Sequence, residues 1–330
     1  MAILVVLERQ PEGIDELSLQ ALAFARSLGP DEQVDALAVD TPGDNFSQGN
    51  AAELPGVVGR HGVSTLHLAE HEAFSAYGPA AVARAVTELA QRERPSAVVA
   101  AGTDRGNEIL ARVGALLDQP FAANCIEATP GDPFRLTRQR WGGSLLEAAE
   151  LHGDPALLTV APHVVSPQPS NGVQAAVEKF TPELTDVEQE LRVVEHVSTR
   201  TAGVSLAEAK VVVSAGRGAG SAEGFGIIEE LAGLLGGAVG CSRAVTMAGW
   251  RPHTDQVGQT GTKIAPDVYI ACGISGATQH MAGCKGAKRI LAINTDREAS
   301  IMASADYAVI GDLHEVVPAV SAELRKARGQ

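Results

Sequence analysis

Short, unbroken apolar runs recur along the chain, and segments with helical spacing lie between them. Ile3–Leu7, Val34–Val39, Thr65–Leu68 and Ala97–Ala101 are runs of this kind. A strand that is apolar without alternation is buried on both faces, which happens in parallel sheets covered by helices. Leu17, Ala21, Phe24, Ala25 and Leu28 fall on one helical face, and Gly29-Pro30 stops that helix. Pro79–Leu89 and Glu108–Leu117 read as two more helices. The rhythm is βαβα, which points to a doubly wound sheet. After Thr137 the pattern changes. Leu145-Leu146 and Leu157–Val165 are expected to be strands around the turn signal His152-Gly153-Asp154-Pro155, and Pro162, Pro167 and Pro169 mark loops.

A second block of the same kind starts near residue 200. Val211–Ser214, Asp267–Cys272, Arg289–Ile293 and Tyr307–Ile310 are its strand candidates. Ile227, Ile228, Leu231, Leu234 and Leu235 share a helical face, and Leu313–Arg328 reads as a closing helix. The chain of 330 residues is therefore expected to hold two α/β domains, 1–198 and 199–330, each a mainly parallel sheet flanked by helices.

Composition excludes several classes of function. The 40 acidic and 26 basic residues give a net charge of −14, which argues against a nucleic-acid backbone or an anionic membrane as partner. No apolar run approaches the roughly 20 residues needed to span a bilayer, and the N-terminus lacks the basic segment of a secretory signal. Cys125, Cys241, Cys272 and Cys284 form no CxxC pair and have no metal-ligand spacing, so buried thiols in a reducing cytoplasm are expected.

The chemistry-bearing residues follow the strands of the second block. Ala215-Gly216-Arg217-Gly218-Ala219-Gly220 is a glycine loop in which an arginine can meet an anion. It is not a dinucleotide fingerprint: Ser221 stands where GxGxxG needs its third glycine, and no Asp or Glu occurs from Leu231 to Thr254. Asp255-Gln256-Val257-Gly258-Gln259-Thr260-Gly261 carries two amides and a hydroxyl between glycines. It suits a flat polar ring, and it also suits a plain surface loop. Gly273-Ile274-Ser275-Gly276 leads into a helix that Ser275 can cap. This run lacks the Gly-x-Ser-x-Gly elbow, so a serine nucleophile is not supported. His280 is either a satisfied helix histidine or a ligand contact. Polar residues also follow the last two strands, at Asn294-Thr295-Asp296 and Gly311-Asp312-Leu313. Ligands of open α/β sheets bind at the carboxyl ends of strands, so the convergence is more informative than any one motif.

The run DQVGQTGTKIAPDVYIACGISGATQHMAGCK, followed by RILAINTD and ADYAVIGDLHEVVP, resembles the α subunit of electron-transfer flavoproteins. The glycine loop and Cys241-Ser242-Arg243-Ala244 fit the same family, as do ILVVLE and AAGTDRGNEI near the N-terminus. The resemblance implies a Rossmann-like C-terminal domain that holds FAD, and an N-terminal domain that contacts a β subunit. It implies an electron carrier rather than an enzyme with its own substrate. Such a carrier runs between dehydrogenases and a quinone- or ferredoxin-linked partner, and whether the complex bifurcates electrons stays open.

By motif, the resemblance places Arg217, Ser242 and Arg243 at the flavin or its diphosphate. It places Val257, Gly258, Gln259 and Thr260 at the isoalloxazine edge. Ser275, Gly276, Ala277, Thr278, Gln279 and His280 are to run from the diphosphate to the ring, and Asn294, Asp312 and Leu313 to meet the adenosine end. Gly276 is expected to permit close approach of the cofactor. Arg243 and His280 are expected to stabilise negative charge on the ring, as cations or as hydrogen-bond donors. Lys263 is displaced from the family pattern and takes no role. The rival readings are an NAD(P)H-dependent oxidoreductase subunit and a non-redox adenine-nucleotide module.

Overall fold

The structure is a computed structural model that describes residues 2–10, 13–29, 32–41, 54–143, 145–167, 169, 173–194, 205–206 and 209–328. The chain divides into two compact units, Met1–Trp141 with Leu145–His196 and Gly142–Ser144 with Val197–Gln330. Both are α/β with mainly parallel sheets, as the apolar runs require.

The first unit runs β1 (Ala2–Val6), β2 (Arg9–Gln10), β3 (Gly13–Ile14), α1 (Glu16–Leu28), β4 (Gln33–Asp40), α2 (Leu54–Arg60), β5 (Val63–Glu70), α3 (Pro79–Glu93), β6 (Ala97–Ala101) and α4 (Asp104–Leu117). It continues with β7 (Phe121–Thr129), β8 (Phe134–Arg140), β9 (Leu145–Leu151), β10 (Ala156–Val160), β11 (Ala176–Phe180) and α5 (Asp186–Glu190). Nine of these strands form one sheet in the order β11-β5-β4-β1-β6-β10-β7-β8-β9. The sheet is parallel from β11 to β7, and β7-β8-β9 is antiparallel. Alternate residues of β1 supply the two faces: Ile3 and Val5 pack with α1, Leu4 and Val6 with α3 and α4.

Three local features differ from the sequence expectation. Helix α4 starts one turn before Glu108, because the Thr103 side chain caps it by accepting from Gly106 N at 2.8 Å. Strand β10 ends at Val160 and lies between β6 and β7, not beside β9. Its five residues are all buried, as a central strand demands, whereas β9 is the largely exposed edge. In the antiparallel pair β7 and β8 polar residues such as Asn124, Glu127 and Arg138 interrupt the apolar ones, and no long apolar run marks either strand.

The second unit runs β12 (Val211–Ala215), α6 (Gly226–Leu235), β13 (Ala238–Cys241), α7 (Arg243–Met247), β14 (Val268–Cys272), α8 (Thr278–Cys284), β15 (Ile290–Asn294), β16 (Tyr307–Ile310) and α9 (Leu313–Ala327). Its sheet is parallel throughout, in the order β13-β12-β14-β15-β16. Val213, Ile270 and Ile293 pack against α6 and α9 on one face. Val212, Tyr269 and Ala271 pack with Ile264, Cys284 and Ile301 on the other. Each fully buried large aliphatic side chain contributes about 1.5–3 kcal/mol. All strands run one way, so every loop at their carboxyl ends opens on the same edge of the sheet.

Candidate functional site

A cavity of about 770 Å³ lies at that edge of the second unit, within the range of cofactor sites. Residues at the carboxyl ends of all five strands line it: Arg217 after β12, Ser242 and Arg243 after β13, Ser275 and Ala277 after β14, Asn294 as the last residue of β15, and Asp312 and Leu313 after β16. Val257, Gly258, Gln259 and Thr260 line it from the loop before β14, and Gln279 and His280 from α8.

Backbone-to-backbone contacts at glycines hold this edge together. A Cβ on Gly216 would lie 2.3 Å from Gly273 O, and one on Gly218 would lie 2.8 Å from Gly273 Cα. The glycines of the GRG loop therefore let the loops after β12 and β14 touch. Gly273 itself has φ +60°, which favours glycine. Gly283, inside α8, plays the same part for the other wall. A Cβ there would lie 2.3 Å from Gly258 N and 2.4 Å from Gly258 Cα. The loop so seated is pinned by Val257 N donating to Cys241 O at 2.9 Å and Gln259 N donating to Gln279 O at 2.7 Å.

The loop's polar groups are ordered by Gln256, which is 2% exposed. Its Oε1 lies 2.7 Å from Thr246 Oγ1, and its Nε2 donates to Thr260 Oγ1 at 3.0 Å. Because Thr260 oxygen already accepts, its hydroxyl proton is left to donate into the cavity. Arg217 and Arg243 are exposed and make no ion pair among the described residues, and Asp296 and Asp312 line the same cavity. His280 is buried, with Nε2 2.7 Å from the Tyr269 hydroxyl and Nδ1 without a hydrogen-bond partner. Burial pulls its pKa from 6.5 down to about 4, so it is neutral near pH 7. Of the two roles expected for His280, burial favours the neutral donor over the cation.

Fourteen of the sixteen expected site residues line the cavity, and Gly276 and Thr278 do not. Gly276 has φ +81°, and a Cβ on it would lie 2.3 Å from Ile301 N. The protein's own backbone, not a cofactor, requires glycine there. Thr278 is exposed at the start of α8. Ser275 does not cap this helix: the cap position is Ala277, with no side-chain bond. Two further residues are partly committed to the fold. Asn294 donates from Nδ2 to Ile274 O at 3.0 Å and accepts at Oδ1 from Asp296 N at 3.0 Å. Asp312 caps α9 by accepting from His314 N at 2.9 Å. Sequence reasoning did not single out Gln256, Tyr269 or Gly283. Tyr269, a polar-tipped ring in an otherwise Val/Ile/Ala/Cys strand, was the available signal.

Comparison with known proteins agrees with this geometry. Residues 205–285 match the electron transfer flavoprotein FAD-binding domain, and residues 3–185 match the electron transfer flavoprotein domain. The chain is 35% identical over 328 residues to electron transfer flavoprotein subunit alpha of Mycobacterium leprae, covering 99% of both chains. It is 36% identical over 327 residues to the same subunit of Pseudomonas aeruginosa, covering 99% of this chain and 100% of that one. Protein FixB of Clostridium saccharobutylicum is 36% identical over 272 residues, 81% of each chain. Most of the lining of the strand-end cavity thus falls in the residues that match an FAD-binding domain, and the chain belongs to the electron-transfer flavoprotein α-subunit family.

Proposed function

We propose that this chain is the FAD-carrying α subunit of a heterodimer with an electron-transfer flavoprotein β subunit. In this reading the complex takes electrons from dehydrogenases and delivers them to a quinone- or ferredoxin-linked partner. The single observation that carries the reading is the cavity itself. Arg217 and Arg243, neither of them in an ion pair among the described residues, the donor hydroxyl of Thr260 and the buried His280 surround a volume suited to a cofactor, and all four lie inside the residues that match an FAD-binding domain.

The donor set suits FAD, which is anionic at its diphosphate and rich in acceptors at its ring. When bound, the flavin supplies the redox chemistry. The chain's residues bind and tune it. Arg217, Ser242 and Arg243 meet the diphosphate or the ring, and Arg243 offers charge where the ring becomes negative. Thr260 and His280 donate to the ring, with Val257, Gly258 and Gln259 at its edge. Ser275, Ala277 and Gln279 line the path toward the diphosphate. Asn294, Asp312 and Leu313 bound the adenosine end, where Asn294 acts chiefly by holding the loops after β14 and β15 together. No residue here acts as a nucleophile or a general base.

The test is co-expression with an electron-transfer flavoprotein β subunit, followed by extraction and counting of bound flavin. The expected result is a yellow complex carrying FAD that accepts electrons from a dehydrogenase and does not oxidise NADH unaided. A colourless complex that retains ATP or AMP and rejects FAD would overturn it.

A further inference from the structure

We propose that His67, Glu93 and Glu178 form a zinc site on the first unit, in which the ion ties the edge strand β11 to β5 and to the end of α3. The site does not rest on the reading of the cavity given above.

His67 lies on β5 and Glu178 on β11, opposite each other in the parallel register, and Leu37 of β4 is the next residue in the same row. Residues paired in this way share one face of the sheet. Leu37 belongs there to the apolar layer formed with Val86, Leu89 and Ala90 of α3, and Glu93 is the last residue of that helix. The imidazole is thus carried on a strand inside the sheet, one carboxylate on the edge strand and the other at the helix end. Each of the three offers a ligand atom, and these atoms lie within 4.8 Å of one another.

His67 is the residue that points to a ligand. Its side chain is 4% exposed, yet Nδ1 has no hydrogen-bond partner among the described residues. A buried polar atom left unpaired costs about 1–3 kcal/mol, so a histidine held here needs something to pair it. Glu178 Oε2 lies 3.5 Å from Nδ1, without the geometry of a hydrogen bond. That is the spacing of two ligands around one ion, because zinc bonds of about 2.0–2.2 Å set tetrahedral ligands about 3.3–3.6 Å apart. The carboxylate against Nδ1 belongs to a side chain that is 61% exposed, so a small turn of Glu178 admits an ion to the nitrogen. Arg92 Nε donates to Glu93 Oε1 at 2.7 Å, which leaves Glu93 Oε2 for the ion. Lys179, the neighbour of Glu178 on β11, is paired with Glu70 at 2.7 Å. Two carboxylates balance a divalent charge. The imidazole nitrogen selects zinc over magnesium and calcium, which take oxygen ligands. Three protein ligands leave the fourth position to water.

The experiment uses the full chain purified with its co-expressed β subunit. The complex is stripped with chelator and titrated with zinc chloride, and bound metal is counted by mass spectrometry. The wild type is expected to take up a zinc ion that Glu93→Gln, Glu178→Gln and His67→Gln bind far more weakly. Losing an outer-shell partner costs about 10- to 100-fold in metal affinity, so losing a ligand should cost at least about 100-fold. Zinc should also raise the unfolding midpoint of the wild type and leave that of the variants in place. If His67→Gln does not fold, the two glutamate variants decide, since both change exposed carboxylates. A wild-type complex that takes up no zinc would overturn the proposal. So would zinc bound as tightly by Glu93→Gln or Glu178→Gln as by the wild type, which would put the ion elsewhere.

Discussion

The two units share an architecture and differ in what their strand ends do with polar groups. In the first unit these groups satisfy one another. Glu8 accepts from the Thr103 hydroxyl at the carboxyl ends of β1 and β6, and Glu8 N donates to Ser18 Oγ at 2.9 Å. Thr159 Oγ1 donates to Asn107 Oδ1 at 2.7 Å and accepts from Asn124 N at 2.9 Å. Burial raises the Glu8 pKa, and the carboxylate faces Gly106 N–H at the start of α4, where an anion would otherwise sit. In the second unit the corresponding edge keeps Arg217 and Arg243 out of ion pairs among the described residues, around a cavity of about 770 Å³. A doubly wound sheet offers a ligand edge wherever its strands end. Whether it binds there depends on which donors the fold leaves unsatisfied.

The contrast breaks most severely at Gly283. Gly283→Ala drives a Cβ onto the Gly258 backbone, which cannot give as a flexible side chain can. Overpacking of this kind costs typically about 1–3 kcal/mol. The displaced loop carries Thr260, so FAD content of the purified complex is expected to fall to a small fraction of wild type. Full flavin loading would show that the loop's seat on α8 is not needed.

Acid separates the units next. The folded second unit keeps His280 neutral to about pH 4, while the unfolded chain protonates it below about pH 6.5. The unfolded state therefore binds more protons between those values. The stability from this group is complete above pH 6.5 and lost as pH falls toward 4, a difference on the order of 3 kcal/mol. Urea midpoints at pH 7.5 and 4.5 measure it. His280→Gln is expected to narrow the gap between them, and an equal gap in wild type and variant would remove His280 as its source.

The smallest effect is expected at Glu8. Glu8→Gln keeps the shape and removes a buried charge whose ionised form burial already disfavours. The unfolding midpoint at pH 7 should stay equal or rise slightly, with FAD content unchanged. Lost FAD in that variant would mean that the strand ends of the first unit take part in binding.

Both sheets were legible where strands are buried on both faces. Val211–Ser214 and, after the exposed Asp267, Val268–Cys272 stand out because their residues are buried or half-buried between apolar layers. β7 and β8 were not legible: polar residues such as Asn124 and Glu127 in β7 and Arg135 and Arg138 in β8 break up their apolar residues, as in strands with a wet face at the antiparallel end of the sheet. β13 is four residues with a glycine inside, too short to register against its flanking glycines. At the site, polar residues directly after strands could be read, since chain position alone puts them at the edge. Gln256 and Tyr269 could not, because their importance lies in bonds to Thr246, Thr260 and His280 that only the fold brings into reach. Nor could Gly283, whose meaning appears only where Gly258 crosses it.

The central claim is that Arg217 and Arg243 of the second unit hold the flavin. It is tested most directly by titrating FAD into flavin-stripped α/β complex, wild type against Arg217→Ala/Arg243→Ala. Neither arginine has an ion pair to lose among the described residues, so the unfolding midpoint of the stripped complex should not move. A hydrogen bond to a charged group contributes roughly 1.5–3 kcal/mol, or about 10- to 150-fold in affinity for each. The expected result is that the double variant folds normally and binds FAD at least about 100-fold more weakly. FAD binding at wild-type affinity by the double variant would contradict the account.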